Sequence, residues 1–166
     1  MRTHWITIVM ATSLFLVDAF VLNQGFLAAI VIFIVLIVLL PRALWTYRTD
    51  RGIGRRRLTT AGIYLLAGFA VLSANAIQNR IADRRAVFLG DACLAFHSKY
   101  YHYPQRLQEL VPEFIPSLPA AKSLSGIAFV YIPNLKGGEP MLFYEAVPPF
   151  GRRFYHMESR SWGFLD

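Results

Sequence analysis

The sequence predicts a membrane protein of the α+β class. Three transmembrane helices are expected, the third running on into an outer domain of one long helix, one short helix and a three-stranded antiparallel meander. Three observations carry this. Hydrophobic residues make up 55% of the chain and charged ones 16%, too apolar for an ordinary soluble domain. Arg42, Arg48, Arg51, Arg55, Arg56 and Arg57 lie between long uncharged apolar stretches and are offset locally only by Asp50. From Gln78 onward the pattern changes to an amphipathic helix followed by short alternating segments with Pro and Gly turns.

The first apolar stretch runs from about Trp5 to Leu22 and the second from Phe26 to Leu40, with Asn23-Gln24-Gly25 as a tight turn. Each spans roughly 23–27 Å, close to the bilayer core once flanking residues are counted. No clear small-x-small cleavage site precedes Asn23 and a second span follows at once, so a helical hairpin is expected rather than a signal peptide. Asp18 falls near the outer end of the first span. A carboxylate reaching the interface is the expectation, although an acid within a span is also a functional candidate. Pro41 marks the membrane exit, with Trp45 and Tyr47 as interface anchors. The third span, Leu58 to Ile77, contains no charge. Residues 1–57 therefore form a transmembrane hairpin with an arginine-rich loop, and 58–166 the third helix with its outer domain.

The arginines fix the orientation. Arg2 and the six others outweigh Arg80, Arg84 and Arg85 beyond the third span, so the N-terminus and residues 42–57 are expected in the cytoplasm and 78–166 outside. The net charge of +7 does not indicate nucleic acid, because residues 78–166 hold ten basic against eight acidic side chains. Cys93 is the single cysteine, so no intramolecular disulfide forms.

Past Ile77 no breaker intervenes, and Ile77, Ile81, Phe88, Ala92, Phe96 and Tyr100 give an apolar stripe interrupted only by Gly90. Tyr103-Pro104 ends that helix. A short helix from Gln105 to Val111 follows, closed by Pro112. Strands are predicted over Gly126–Ile132, with both faces apolar, Met141–Val147 and Arg153–Glu158, with Trp162 and Phe164 closing the core. The turns fall at Gly137-Gly138 and at Pro148-Pro149-Phe150-Gly151.

A membrane helix continued as an amphipathic stalk, then Tyr100, Tyr103, Pro104, Leu107, Leu110, Val111 and Pro112, then Phe114, Ile115, Leu118, Pro119 and a small meander, resembles type IV pilins and the pseudopilins of type II secretion. The resemblance covers about Leu58 to Asp166 and implies a pilin-like fold. The prepilin processing pattern is not matched: Gly52 and Gly54 sit among arginines, no glutamate follows, and two spans lie upstream. A pilin-like domain held in the membrane is implied, not a pilus subunit.

No phosphate-binding glycine loop, nucleophile elbow or Cys-x-x-Cys occurs. His97 and His102 lack the spacing of a helical zinc pair, and together with His156, Glu145 and Glu158 they suggest no metal site. Ser159 and Ser161 near His156 lack an orienting acid at a meaningful spacing. Neither catalysis nor a cofactor is expected. The aromatic residues of the outer domain are expected in its core.

The expected role is an accessory or interaction component of the cell envelope, in a bacterial inner membrane and working with secretion or pilus machinery. The alternative is an envelope sensor or immunity protein that binds a soluble partner. Membrane lipid and a protein are the expected partners, oligomerisation is open, and nucleic acid is not expected. Contact candidates are Ile81, Phe88 and Phe96 on the stripe and Phe150, Arg152 and Arg153 at a turn tip.

Overall fold

A computed structural model describes residues 2–18, 25–122, 126–133, 139–147 and 151–165. The chain divides into two compact units, Met1–Ala76 and Ile77–Asp166.

The first unit is helical: α1 (Arg2–Leu16), α2 (Phe26–Ile34), a π-helical turn over Val35–Leu39, α3 (Leu40–Thr49) and the beginning of α4 (Arg51–Tyr100). Two helices are long and apolar enough to cross a membrane, Phe26–Thr49 and Arg51–Tyr100, whereas the apolar helix Trp5–Leu16 is shorter. Among the described residues there are thus two such helices, where three spans were expected. The expected turn at Asn23-Gln24 and the end of the first span lie outside the described residues.

The second helix does not stop at Leu40. Pro41 lacks an N–H, and inside an α-helix its ring would strike the carbonyl one turn earlier. The π-helical turn relieves this conflict: the N–H of Leu40 reaches back five residues to the carbonyl of Val35, and helix continues on the far side of Pro41 to Thr49.

Nor do the arginines occupy a loop. Arg42 and Arg48 belong to α3, and Arg51, Arg55, Arg56 and Arg57 to the first turns of α4. The connection is Asp50 alone. Its N–H closes α3 onto the carbonyl of Thr46, while its Oδ1 accepts the N–H groups of Gly52 (2.8 Å) and Ile53 (3.1 Å) at the start of α4. Asp50 therefore caps α4, and a carboxylate also suits the positive end of the helix dipole.

Small residues set the packing of the antiparallel pair. A Cβ on Gly54 would lie 2.3 Å from the Tyr47 Cα, and one on Gly68 would lie 2.7 Å from the Ile32 side chain. At the other end Gly25, at φ +66, faces Leu72 and Asn75. Ala28, Val35, Ala43, Ala61 and Val71 are fully buried between these points. Close backbone approach through small side chains is how helices associate where lipid removes the hydrophobic drive.

The Asp18 side chain turns into the protein. It is fully buried, and its Oδ1 and Oδ2 accept the N–H groups of Gly25 (3.0 Å) and Ala28 (2.8 Å). One carboxylate thus accepts two amide N–H groups at the start of α2, where the first-turn donors of a helix have no intrahelical acceptor.

In the second unit α4 runs unbroken to Tyr100. A single 3-10 turn, Leu107–Leu110, stands where a helix from Gln105 to Val111 was expected, and the Glu109 carboxylate accepts the N–H groups of Gln105 and Arg106. The sheet is an antiparallel meander of β1 (Val130–Ile132), β2 (Met141–Val147), β3 (Gly151–His156) and β4 (Trp162–Leu165), in that order. It has four strands where three were expected. β1 is shorter than expected, β2 has the expected bounds, and β3 begins and ends two residues earlier. The residues at both expected glycine and proline turns, 134–138 and 148–150, are not described. β4 holds only four residues, one of them Gly163, whose backbone lies under the ring of the paired Phe154.

The core lies between α4 and one face of the sheet. Ala86, Leu89, Cys93 and Phe96 of α4 meet Leu142, Tyr155 and Met157, and Leu107, Leu110 and Ile115 close the side. Ala82, Ala121, Tyr144 and Ala146 form a second cluster. Gly90 has a reason to stand mid-helix, because a Cβ there would lie 2.8 Å from the Tyr155 ring. Trp162 packs against the core as expected, but Phe164 is exposed.

Candidate interaction surfaces

The register of the sheet divides its side chains into two sets. Leu142, Tyr144 and Ala146 of β2 are buried towards α4, and Tyr131, Tyr155 and Trp162 pair on that side. Val130, Phe143, Phe154 and Leu165 alternate onto the opposite face, with the Glu145 and Arg152 positions paired beside them. Both parities of β1 and β2 are therefore apolar, the pattern of a sheet covered on two sides. Only one side is covered by the chain among the described residues: Val130 is 60% exposed, and Val147 and Leu165 are also exposed. A shallow depression of about 510 Å³ on the open face is lined by Val130, Ile132, Phe143, Glu145, Arg152 and Leu165.

A second apolar surface lies along α4. Ile81 and Phe88, with Arg84, Arg85, Pro116 and Pro119, line a groove of about 300 Å³. Phe88 is 50% exposed. The stripe expected from sequence is thus split. Ile77, Ile81 and Phe88 are exposed, whereas Phe96, at 7%, is in the core and unavailable as a contact. At 3.6 residues per turn, the packed face follows Ala82, Ala86, Leu89 and Cys93 instead. Gly90 lies on this side of the helix, where the Tyr155 ring approaches closely.

Arg152 and Arg153 belong to β3 rather than to a turn tip, and Phe150 lies outside the described residues. Arg152 is exposed on the open face. Arg153 points the other way: it pairs with Asp83 at 3.2 Å and lies 4.7 Å from the Trp162 ring. Asp83 also accepts the Tyr144 hydroxyl at 2.7 Å. Burial first, and then this hydrogen bond to a carboxylate, push the Tyr144 hydroxyl well above its usual pKa. This trio ties the sheet to α4 and is structural.

The histidines do not gather. His97 stacks on Tyr103 at 4.3 Å and His102 lies against Phe96, while His156 sits near Glu139. No group of three metal-ligating side chains occurs among the described residues. Ser159 and Ser161 do meet, their hydroxyls 2.9 Å apart, and Glu139 supplies the acid that sequence spacing did not reveal. However, the Ser159 hydroxyl donates directly to Glu139 at 3.1 Å, and the His156 Nδ1 atom has no hydrogen-bond partner among the described residues. A hydroxyl bonded to a carboxylate, with no bond to the imidazole, is not arranged as a nucleophile with its base.

Lys122 was missed by sequence reasoning. It is fully buried, and its ammonium donates to the Ala146 carbonyl at 2.8 Å. Burial lowers its pKa to about 8. Nothing in Ala121-Lys122-Ser123 sets it apart from a solvated lysine. Its backbone forms an antiparallel bridge with Ile127.

A scan against protein-family models finds no match, and searches of the curated proteins and of the solved structures return no similar protein.

Proposed function

We propose that this chain is a non-catalytic integral membrane protein acting as an accessory or interaction component of a bacterial cell envelope, with a pilin-like outer domain that works beside secretion or pilus machinery. One observation carries the interaction reading. The sheet is apolar on both faces, yet only one face is packed by the described residues of the chain, and exposed contiguous apolar surface is characteristic of protein contact sites. The groove at Ile81 and Phe88 adds a second patch on the same unit. The membrane reading draws on the two long apolar helices and on six arginines placed together at one end of them. A second reading, an envelope sensor or immunity protein holding a soluble partner, draws support from Ile77–Asp166 being a compact unit with its own core.

A photo-crosslinking residue placed in cells at Val130 or Phe88 tests the proposal, with exposed Gln108 as control. Recovery of one membrane or envelope-assembly protein from Val130 or Phe88 supports the first reading, and recovery of one soluble protein supports the second. Crosslinking indistinguishable from that at Gln108 removes both.

A further inference from the structure

An apolar groove of about 520 Å³ runs between the helices of the first unit, lined by Met10, Leu14, Leu27, Val31, Leu39 and Tyr64 among others. We propose that it holds one acyl chain of an anionic phospholipid, whose phosphate is bound by Arg42 and Arg57. The proposal rests on the membrane reading above.

The dimensions fit a single chain. From Leu27 to Leu39 the helix rises about 18 Å, at 1.5 Å per residue, against about 15 Å for half of a bilayer hydrocarbon core. The groove ends on the side where the arginines gather. Arg42 lies three residues beyond Leu39, one turn further along the same helix face. Arg57 lies seven residues before Tyr64, two turns along α4 towards the same end.

The charge there calls for an anion. All six arginines from Arg42 to Arg57 are exposed, and none forms a salt bridge among the described residues. Asp50, the one acid nearby, already uses its Oδ1 to cap α4. Arg57 donates from Nη1 to the Thr46 hydroxyl at 2.6 Å, which orients the guanidinium and leaves further N–H groups for a phosphate. A zwitterionic lipid would fill the groove but leave the arginine charge uncompensated. A helix from a second copy would fill it and bring its own arginines to the same place.

The test uses the full chain in neutral detergent, titrated with phosphatidylglycerol or phosphatidylcholine and followed by native mass spectrometry and thermal unfolding. Phosphatidylglycerol should bind at one lipid per chain and raise the melting temperature, and phosphatidylcholine should do so only weakly. Arg42→Gln with Arg57→Gln, both at exposed positions, should weaken phosphatidylglycerol binding roughly 10- to 30-fold. Ser13→Phe, which fills the groove, should remove binding of both lipids. Equal binding of the two lipids, or phosphatidylglycerol binding unaffected by the arginine substitutions, would overturn the proposal. So would a chain that dimerises and binds neither lipid. A chain that stays monodisperse without detergent would instead refute the membrane reading itself.

Discussion

The Asp18 carboxylate accepts the backbone N–H of Ala28 at 2.8 Å, and this contact, with the bond from Gly25, joins the first apolar segment to the start of α2. A buried acid in an apolar hairpin is costly unless each oxygen is satisfied, and here both are. Its role is to start a helix. Asp18→Ala would remove the carboxylate that both amide groups donate to and should cost about 2 kcal/mol. Asp18→Asn, which keeps one acceptor, should cost less. Thermal unfolding in detergent reads both. An Asp18→Ala protein as stable as the parent would show that the cap is dispensable.

Gly54 and Gly62 lie on the same helix and predict opposite outcomes. A Cβ on Gly54 meets the backbone of Tyr47, whereas one on Gly62 has nothing within 4 Å. Gly54→Ala should therefore destabilise the hairpin by about 1–3 kcal/mol. Gly62→Ala should be neutral, or stabilising by up to about 1 kcal/mol through helix propensity. Unfolding midpoints of the two variants should fall on opposite sides of the parent or show Gly54→Ala alone displaced. Equal effects would mean that the close crossing at Gly54 is absent.

Much of this architecture was legible in the residues, and the exceptions each have a physical reason. The uninterrupted run past Ile77 announced α4, Tyr103-Pro104 marked its end, and the spacing of Met141 to Val147 placed β2. The misreadings arose where a residue's usual signal was overridden by a local backbone device or by a packed neighbour. Pro41 reads as a stop, but a π-helical turn carries the helix past it. The arginines read as a loop because Asp50 alone makes the turn. Large side chains at Ile81 and Phe88 suggested the packed face of α4, yet Ala82, Ala86, Leu89 and Cys93 form it, and Gly90 lets Tyr155 approach. β4 was too short, and too interrupted by Gly163, to announce itself. The open sheet face was half legible: apolar residues at both parities were visible, but which face the chain leaves uncovered required the strand register.

Lys122 should give the second unit a characteristic pH response. Its folded pKa is about 8, below the ordinary value of 10.5, so between these values the unfolded chain binds more protons than the folded one. Stability attributable to this side chain should therefore rise from pH 8 to 10.5. Cys93, pushed up to about 12 by burial, acts oppositely above about pH 9, so the comparison must be internal. Relative to Lys122→Met, the parent should be less stable at pH 7 and should close the gap by pH 10. A difference between the two proteins that does not change with pH would show that Lys122 is not buried.

We propose that the arginine end of the helices faces the cytoplasm and the sheet domain faces outward. Cysteine labelling tests it most directly, in a Cys93→Ala background with a membrane-impermeant thiol reagent on intact cells. Tyr101, 89% exposed in the second unit, and Ile53, exposed beside the arginines, are the reporting positions. Tyr101→Cys should label in intact cells once the outer membrane is permeable, and Ile53→Cys only after lysis. Labelling of Ile53→Cys but not of Tyr101→Cys in intact cells would contradict the account.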